Sequence, residues 1–174
     1  MIELCSIRES HAEALFPLIF HSPVTDTLIW DGPESMQDMK LALREREKMA
    51  RAGSLHAFTI AETRTKALIG SIRIAPNPAH HSGEVGLWIG APFHGRGYGT
   101  KAVRLVVEIA FERLALERLE ARVFVGNIPS RRTFERNGFT LEGTVRHAVY
   151  KRGVFRDEWI LGLIREDHHP TKSG

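Results

Sequence analysis

Residues Gly83 to Lys101 read GEVGLWIGAPFHGRGYGTK, and this stretch decides the fold. Val85, Leu87 and Ile89 recur at period two with Glu84, Gly86 and Trp88 between them, which predicts a strand with two unlike faces. Gly90-Ala91-Pro92 ends that strand, Gly95, Gly97 and Gly99 alternate after it, and an apolar helical run begins at Ala102. Glycine adds no side chain, so the turn can approach a ligand closely, and the first N–H groups of the helix lack internal partners. With the positive end of the helix dipole behind them, those donors form an anion site. The pattern predicts a phosphorylated ligand lying across the turn.

Outward from this centre the chain keeps alternating between periods. Ala102, Val103, Val106, Val107, Ala110 and Leu114 form a wide helical stripe that predicts packing against a sheet. Arg118 to Val125 alternates as a strand. Asn127-Ile128-Pro129-Ser130 reads as a turn entering a helix that ends at Asn137-Gly138. Thr140–Tyr150 and Val154–Ile164 predict the last two strands around Lys151-Arg152-Gly153.

On the upstream side, Ile2–Arg8 is a strand, and Glu9 or Ser10 opens a helix that Pro17 kinks or shortens. Thr25 to Pro33 is an irregular loop, in which Trp30 either lines a groove or packs inward. Ser35 caps a second helix, which Gly53 closes in a left-handed conformation. Leu55–Glu62 and Ala67–Ala75 form a hairpin across Thr63-Arg64-Thr65-Lys66.

The resulting order, β-α-α-β-β-β-α-β-α-β-β, predicts one mixed α/β (α+β) domain over residues 1–167. Its sheet has about seven mostly antiparallel strands, with about four helices on both faces and a parallel crossover from the fourth strand to the fifth. Residues 168–174 carry too little apolar surface to order themselves and are expected to be a tail.

With 174 residues the chain is long enough for one domain with a substantial core. The net charge of +3 is modest, and no basic tract interleaved with aromatics points to nucleic acid. Cys5 is the only cysteine, so neither a disulfide framework nor a Cys-x-x-Cys metal pair is expected. His80 and His81 lack a correctly spaced partner, and no metal is expected. No apolar run suits a membrane span, and the charged N-terminus does not read as an export signal, so the expected location is the cytoplasm.

Three phosphate-binding turns compete for the central stretch. The nucleotide P-loop fails because Lys101 is misplaced after Gly99. The dinucleotide fingerprint fails because the spacing is G-x-G-x-G and no strand-end acid follows about twenty residues on. The third fits: HGRGYGTKAV after GEVGLWIG, and NIPSRRTFERNGF after a strand, closely resemble the signature segments of the GCN5-related N-acetyltransferases. The resemblance runs from Ile2 to about Glu166, with WDGP near Trp30 and GVFRDEWIL around Asp157, and points to the RimJ/RimL-like branch that acetylates ribosomal-protein N-termini.

The resemblance implies acetyl-coenzyme A as co-substrate and a sheet splayed between the fourth and fifth strands. Its pyrophosphate would lie on the turn formed by His94, Gly95, Arg96, Gly97, Tyr98, Gly99 and Thr100, where relatives usually carry Gln or Arg in place of His94. The pantetheine arm would pair with the main chain of Leu87, Trp88 and Ile89 and touch Asn127 and Phe134. Lys101, Arg104, Arg131 and Arg136 could meet the adenosine phosphate, or simply form solvated helix faces.

For the chemistry, Glu84 is either a base for the amine or an exposed strand-end carboxylate. Ser130, which resembles the serine that protonates the departing thiolate in the ribosomal-protein branch, is otherwise a helix cap. Trp30, Asp31 and Glu84 would line the acceptor groove, with Asp157 as a further acid. The expected partners are acetyl-coenzyme A and an amine: a protein or peptide α-amine, or else a small amine, amino acid or antibiotic. The chain would work as a monomer or homodimer, and a non-catalytic coenzyme A sensor is the alternative from another class.

Overall fold

The structure, a computed structural model, describes residues 1–168. The predicted tail lies outside the described residues except for His168, whose ring sits 5.3 Å from that of Phe111. The described residues form seven strands and four α-helices: β1 Ile2–Ser6, α1 Ala12–Ile19, α2 Met36–Arg51, β2 His56–Glu62, β3 Leu68–Asn77, β4 Ser82–Ile89, α3 Tyr98–Glu108, β5 Arg118–Phe124, α4 Ile128–Glu135, β6 Thr140–Lys151 and β7 Val154–Ile164. They make one mixed sheet in the order β1-β2-β3-β4-β5-β7-β6, in which only β4 and β5 run parallel.

Local chemistry explains most of the boundaries. The Ser35 hydroxyl accepts from the Asp38 N–H (3.1 Å) and starts α2, and Gly53 follows its end at φ +75°. Pro17 lies inside α1, which stays short at eight residues. Several edges differ from the sequence reading: β1 stops at Ser6, α1 starts at Ala12 after a short 3-10 turn, β3 runs on to Asn77, and α3 starts at Tyr98, four residues ahead of its apolar stripe; β2, β5 and β6 shift by one residue. The earlier start has a cause. Gly97 at φ +72° reverses the chain, and the helix propagates at once from Tyr98, whose buried ring anchors the first turn ahead of the apolar stripe.

Each face of the sheet carries its own core. Val85, Ile89, Leu119, Ala121, Leu161 and Leu163 pack under α3 and its π-helical continuation Ile109–Arg113. Leu15, Ile19, Met39 and Leu43 of α1 and α2 cover Ala57 on the other face. The parallel strands are held tightest at their start, where a Cβ on Gly83 would stand 2.7 Å from Ile74 Cγ2 and 3.0 Å from Leu116 Cδ1.

β4 and β5 pair only at Ser82–Arg118, Gly83–Leu119 and Glu84–Glu120. Beyond this point β4 stays with β3 as far as Gly70–Ile89, and β5 stays with β7 as far as Phe124–Glu158. Each strand keeps its outer neighbour, so the sheet opens as a wedge in its own middle. Gly70 lets β3 follow β4 to the rim of that wedge, since a Cβ there would lie 2.2 Å from the Trp88 carbonyl oxygen and 3.0 Å from Ile89 Cα. Backbone cannot step aside as a side chain can. Gly70→Ala is therefore expected to cost about 1–3 kcal/mol in a denaturant titration, with a loss of that order absent if the strands part freely.

Candidate active site

The wedge, the glycine turn and the loop before α2 enclose one cleft of about 860 Å³. Its floor is main chain. The Gly90 N–H donates to the Ile69 carbonyl (2.8 Å), so in the alternating ladder Trp88 and Gly86 face β3 while the N–H and C=O groups of Leu87 and Ile89 face the opening. A donor and acceptor row in the middle of a sheet, with no strand across from it, can hold one extended chain. The His94 ring meets the Ile89 carbonyl (Nε2 to O, 2.7 Å) and must carry its proton on Nε2 to do so, leaving the Ile89 N–H for a ligand.

At the cleft's outer end, Gly95 and Gly97 take left-handed conformations (φ +74° and +72°), and nothing lies within 4 Å of where a Cβ would stand on either. Gly97 is the N-cap residue of α3 and has no side chain to bond the helix's first N–H groups. Tyr98 turns its ring into the core and donates its hydroxyl to Glu62, so only its main chain belongs to the turn. Asn137 ties α4 to this point through Nδ2, which donates to the Thr100 carbonyl (3.1 Å) and the Thr133 carbonyl (2.8 Å).

Across the wedge, Asn127 Oδ1 accepts from the Ser130 N–H (3.2 Å) and caps α4. The cap is therefore Asn127, and the half-buried Ser130 hydroxyl is left facing the cleft. Phe134 is buried beneath it, edge-on to Phe139 at 5.2 Å.

The end of the cleft around Glu84 is lined with charge. Glu84 pairs with Arg73 (3.2 Å) and lies 3.9 Å from Arg122. Gly86 makes room for Arg73, because a Cβ there would stand 3.0 Å from its Nε. Facing them from β7 is Glu158, only 3 % exposed, with Arg122 Nη1 3.7 Å from its Oε2. Burial, and then the nearby Glu84 charge, push the Glu158 carboxyl above the usual carboxylate range against the opposing pull of Arg122.

The cleft gathers Trp30, Glu84, Leu87, Trp88, Ile89, His94, Gly95, Gly97, Tyr98, Gly99, Thr100, Asn127, Ser130 and Phe134 from the sequence reading. It leaves out Asp31, Arg96 and Arg131. Asp31 is taken by Lys151 (2.7 Å) and Arg152 (2.9 Å) from the β6–β7 turn, and both hold its carboxyl below the usual range. The Asp157 carboxylate accepts from the His147 N–H (2.7 Å). Arg131 stacks on Trp159 at 4.9 Å and pairs with Glu135, while Arg132 and Arg136 of the same helix line the cleft instead. Arg96 lies over the Phe93 ring.

Glu158, Arg46, Arg73, Arg122 and Arg132 escaped the sequence reading. Only Glu158 left a trace: in GVFRDEWIL two acids stand side by side, and period two allows only one of them to face inward.

The chain belongs to the GNAT acetyltransferase family, whose acetyltransferase (GNAT) domain model matches residues 2–140. It is 36% identical over 112 residues to a probable N-acetyltransferase, YjcK, of Bacillus subtilis, a match that takes in 63% of this chain and 60% of that protein's length. Two solved structures share the fold with a TM-score of 0.87. One is a probable acetyltransferase, 26% identical, with 95% of this chain and 93% of that one covered. The other is RimL, the ribosomal L7/L12 α-N-protein acetyltransferase, in complex with coenzyme A, 23% identical, with 94% and 93% covered. No helix among the described residues is long and apolar enough to cross a membrane.

Proposed function

We propose that this chain is an N-acetyltransferase that moves the acetyl group of acetyl-coenzyme A to a primary amine by direct attack. One observation carries the reading: an open glycine turn at a helix N-terminus, an unpaired row of strand main chain and a buried carboxylate share one cleft. The diphosphate would lie on the turn from Gly95 to Thr100, with Arg132 and Arg136 beside it. The pantetheine amides would pair with Leu87 and Ile89, which brings the thioester to the base of the wedge between Glu158 and Ser130. A finer reading, that the amine is a protein or peptide α-amine, rests on the resemblance to the ribosomal-protein branch.

The reaction needs three proton or charge movements. The ammonium form of the acceptor gives a proton to Glu158, directly or through one water, and the freed nitrogen lone pair forms the C–N bond. The carbonyl oxygen takes up negative charge against the Leu87 N–H, a donor nearer the base of the wedge and fixed before that charge appears, which leaves the Ile89 N–H and the Leu87 carbonyl for the pantetheine. The C–S bond breaks as the oxyanion collapses, and the departing thiolate takes a proton from the Ser130 hydroxyl, which is refilled by the second proton the nitrogen sheds on becoming an amide. Glu158 suits the role of base better than Glu84, because a raised pKa gives a carboxylate more pull on a proton and Glu84 is already engaged by Arg73 and Arg122. Cys5, on β1, does not line the cleft, so no covalent acetyl-enzyme is required.

Thiol release from acetyl-coenzyme A, followed over a panel of peptides, amino acids, polyamines and aminoglycosides, tests the proposal. Amine-dependent release with an N-acetylated product is expected. Coenzyme A binding without release on any amine would leave a binding module and overturn the transferase.

A further inference from the structure

Arg46 has no role in the chemistry just described, yet it stands in the acceptor end of the cleft. It comes from the middle of α2 and lies over the Trp30 ring at 5.1 Å, beside Ala57, Ser71 and Arg73 in the lining. No carboxylate, carbonyl or hydroxyl partner reaches its guanidinium among the described residues. The neighbouring acids are spent elsewhere: Glu47 on Arg51 and on the Glu9 N–H, Glu84 on Arg73, and Asp31 on Lys151 and Arg152. Burial and the like charge of Arg73 both act against its cationic form, and nothing nearby offsets them.

A guanidinium stacked on an indole keeps its in-plane N–H donors free, and their fork matches a carboxylate or phosphate edge. The other lining charges do not supply such an edge. Arg46, Arg73 and Arg122 outnumber Glu84 and Glu158 in this half of the cleft. An empty acceptor site therefore carries excess positive charge, which repels a polycation and is relieved by an anion.

We propose that the acceptor carries an anionic group, a carboxylate or phosphate, close to its reactive amine, and that Arg46 binds it. This rests on the transferase reading above and narrows its substrate class. Trp30 is the positioning residue: its ring lies beneath the guanidinium, and its loop is pinned by Lys151, whose buried ammonium group meets Asp31 and lies 3.5 and 3.4 Å from the Ile29 and Trp30 carbonyls. The anion can be the α-carboxylate of a free amino acid or an acidic side chain near a peptide N-terminus, and matched pairs of acceptors separate the two.

The experiment compares KM for amino acids and their amides, and for peptides with Asp or Glu near the N-terminus and their Asn or Gln counterparts, with spermidine as the polycation. The acidic member of one pair is expected to have a KM about tenfold or more below its amide, and to lose that advantage as ionic strength rises. In Arg46→Gln the ratio should fall to about one, and in Arg46→Lys part of it should survive. The salt dependence reads the same contact in the unsubstituted protein, whatever Arg46→Gln does to folding. Equal KM for acid and amide, a preference for spermidine, or an unchanged ratio in Arg46→Gln would overturn the inference while leaving the transferase intact. No turnover of any amine would overturn both.

Discussion

Glu158→Gln is expected to lower kcat by about 10²–10⁴-fold while coenzyme A still binds. The side chain is buried at the acceptor end, away from the glycine turn, so the loss should fall on the chemical step. Its pH signature has a definite sign. A base must be ionised to act, so the rate of the unsubstituted protein should rise through a pKa above the usual carboxylate range, and Glu158→Gln should lack that limb. Stability moves the other way. Burial favours the protonated carboxyl, so the stability it contributes is present at low pH and declines as pH rises through the raised pKa. Glu158→Gln should therefore gain on the parent in thermal melts above that pH. Glu84→Gln should shift the acid limb to lower pH, because it removes a neighbouring negative charge and frees Arg122. A Glu158→Gln enzyme with an unaltered rate and pH profile would remove Glu158 from the mechanism.

Gly97→Ala is expected to weaken coenzyme A binding by about 10–100-fold, read by calorimetry. The glycine sits at φ +72°, where an L-residue costs about 1–2 kcal/mol, and its missing Cβ leaves open the side from which a diphosphate would reach the N–H groups of α3. Gly53 supplies the control. It has nearly the same dihedral, φ +75°, and the same open space around its Cβ position, but it ends α2, outside the cleft lining. Gly53→Ala should lose a similar amount of stability and keep its affinity for coenzyme A. Equal affinity in both variants would mean that the turn is a bend in the fold and holds no phosphate.

The contrast between Glu84 and Glu158 shows how far the residues could be read unaided. Glu84 looked like the free acid because it sits on a strand beside the glycine turn, within a few residues of everything else that mattered. Whether it is free depends on Arg73 and Arg122, brought to it by two other strands. Asp31 stands outside the cleft lining for the same reason, held by Lys151 and Arg152 from the far end of the chain. Ser130 shows the converse: a cap by local rules, it is relieved of that duty by Asn127 only three residues away, and the hydroxyl stays available.

The sequence by itself determined the elements, their order and the glycine turn ahead of α3, because periodicity, caps and left-handed glycines act over a few residues. The tertiary structure alone decided where β4 leaves β5, which carboxylate is buried in the cleft, and which acids are taken by arginines from other strands. Those outcomes come from competition among strands for neighbours and among charges for counter-charges, and the competitors are distant in the chain.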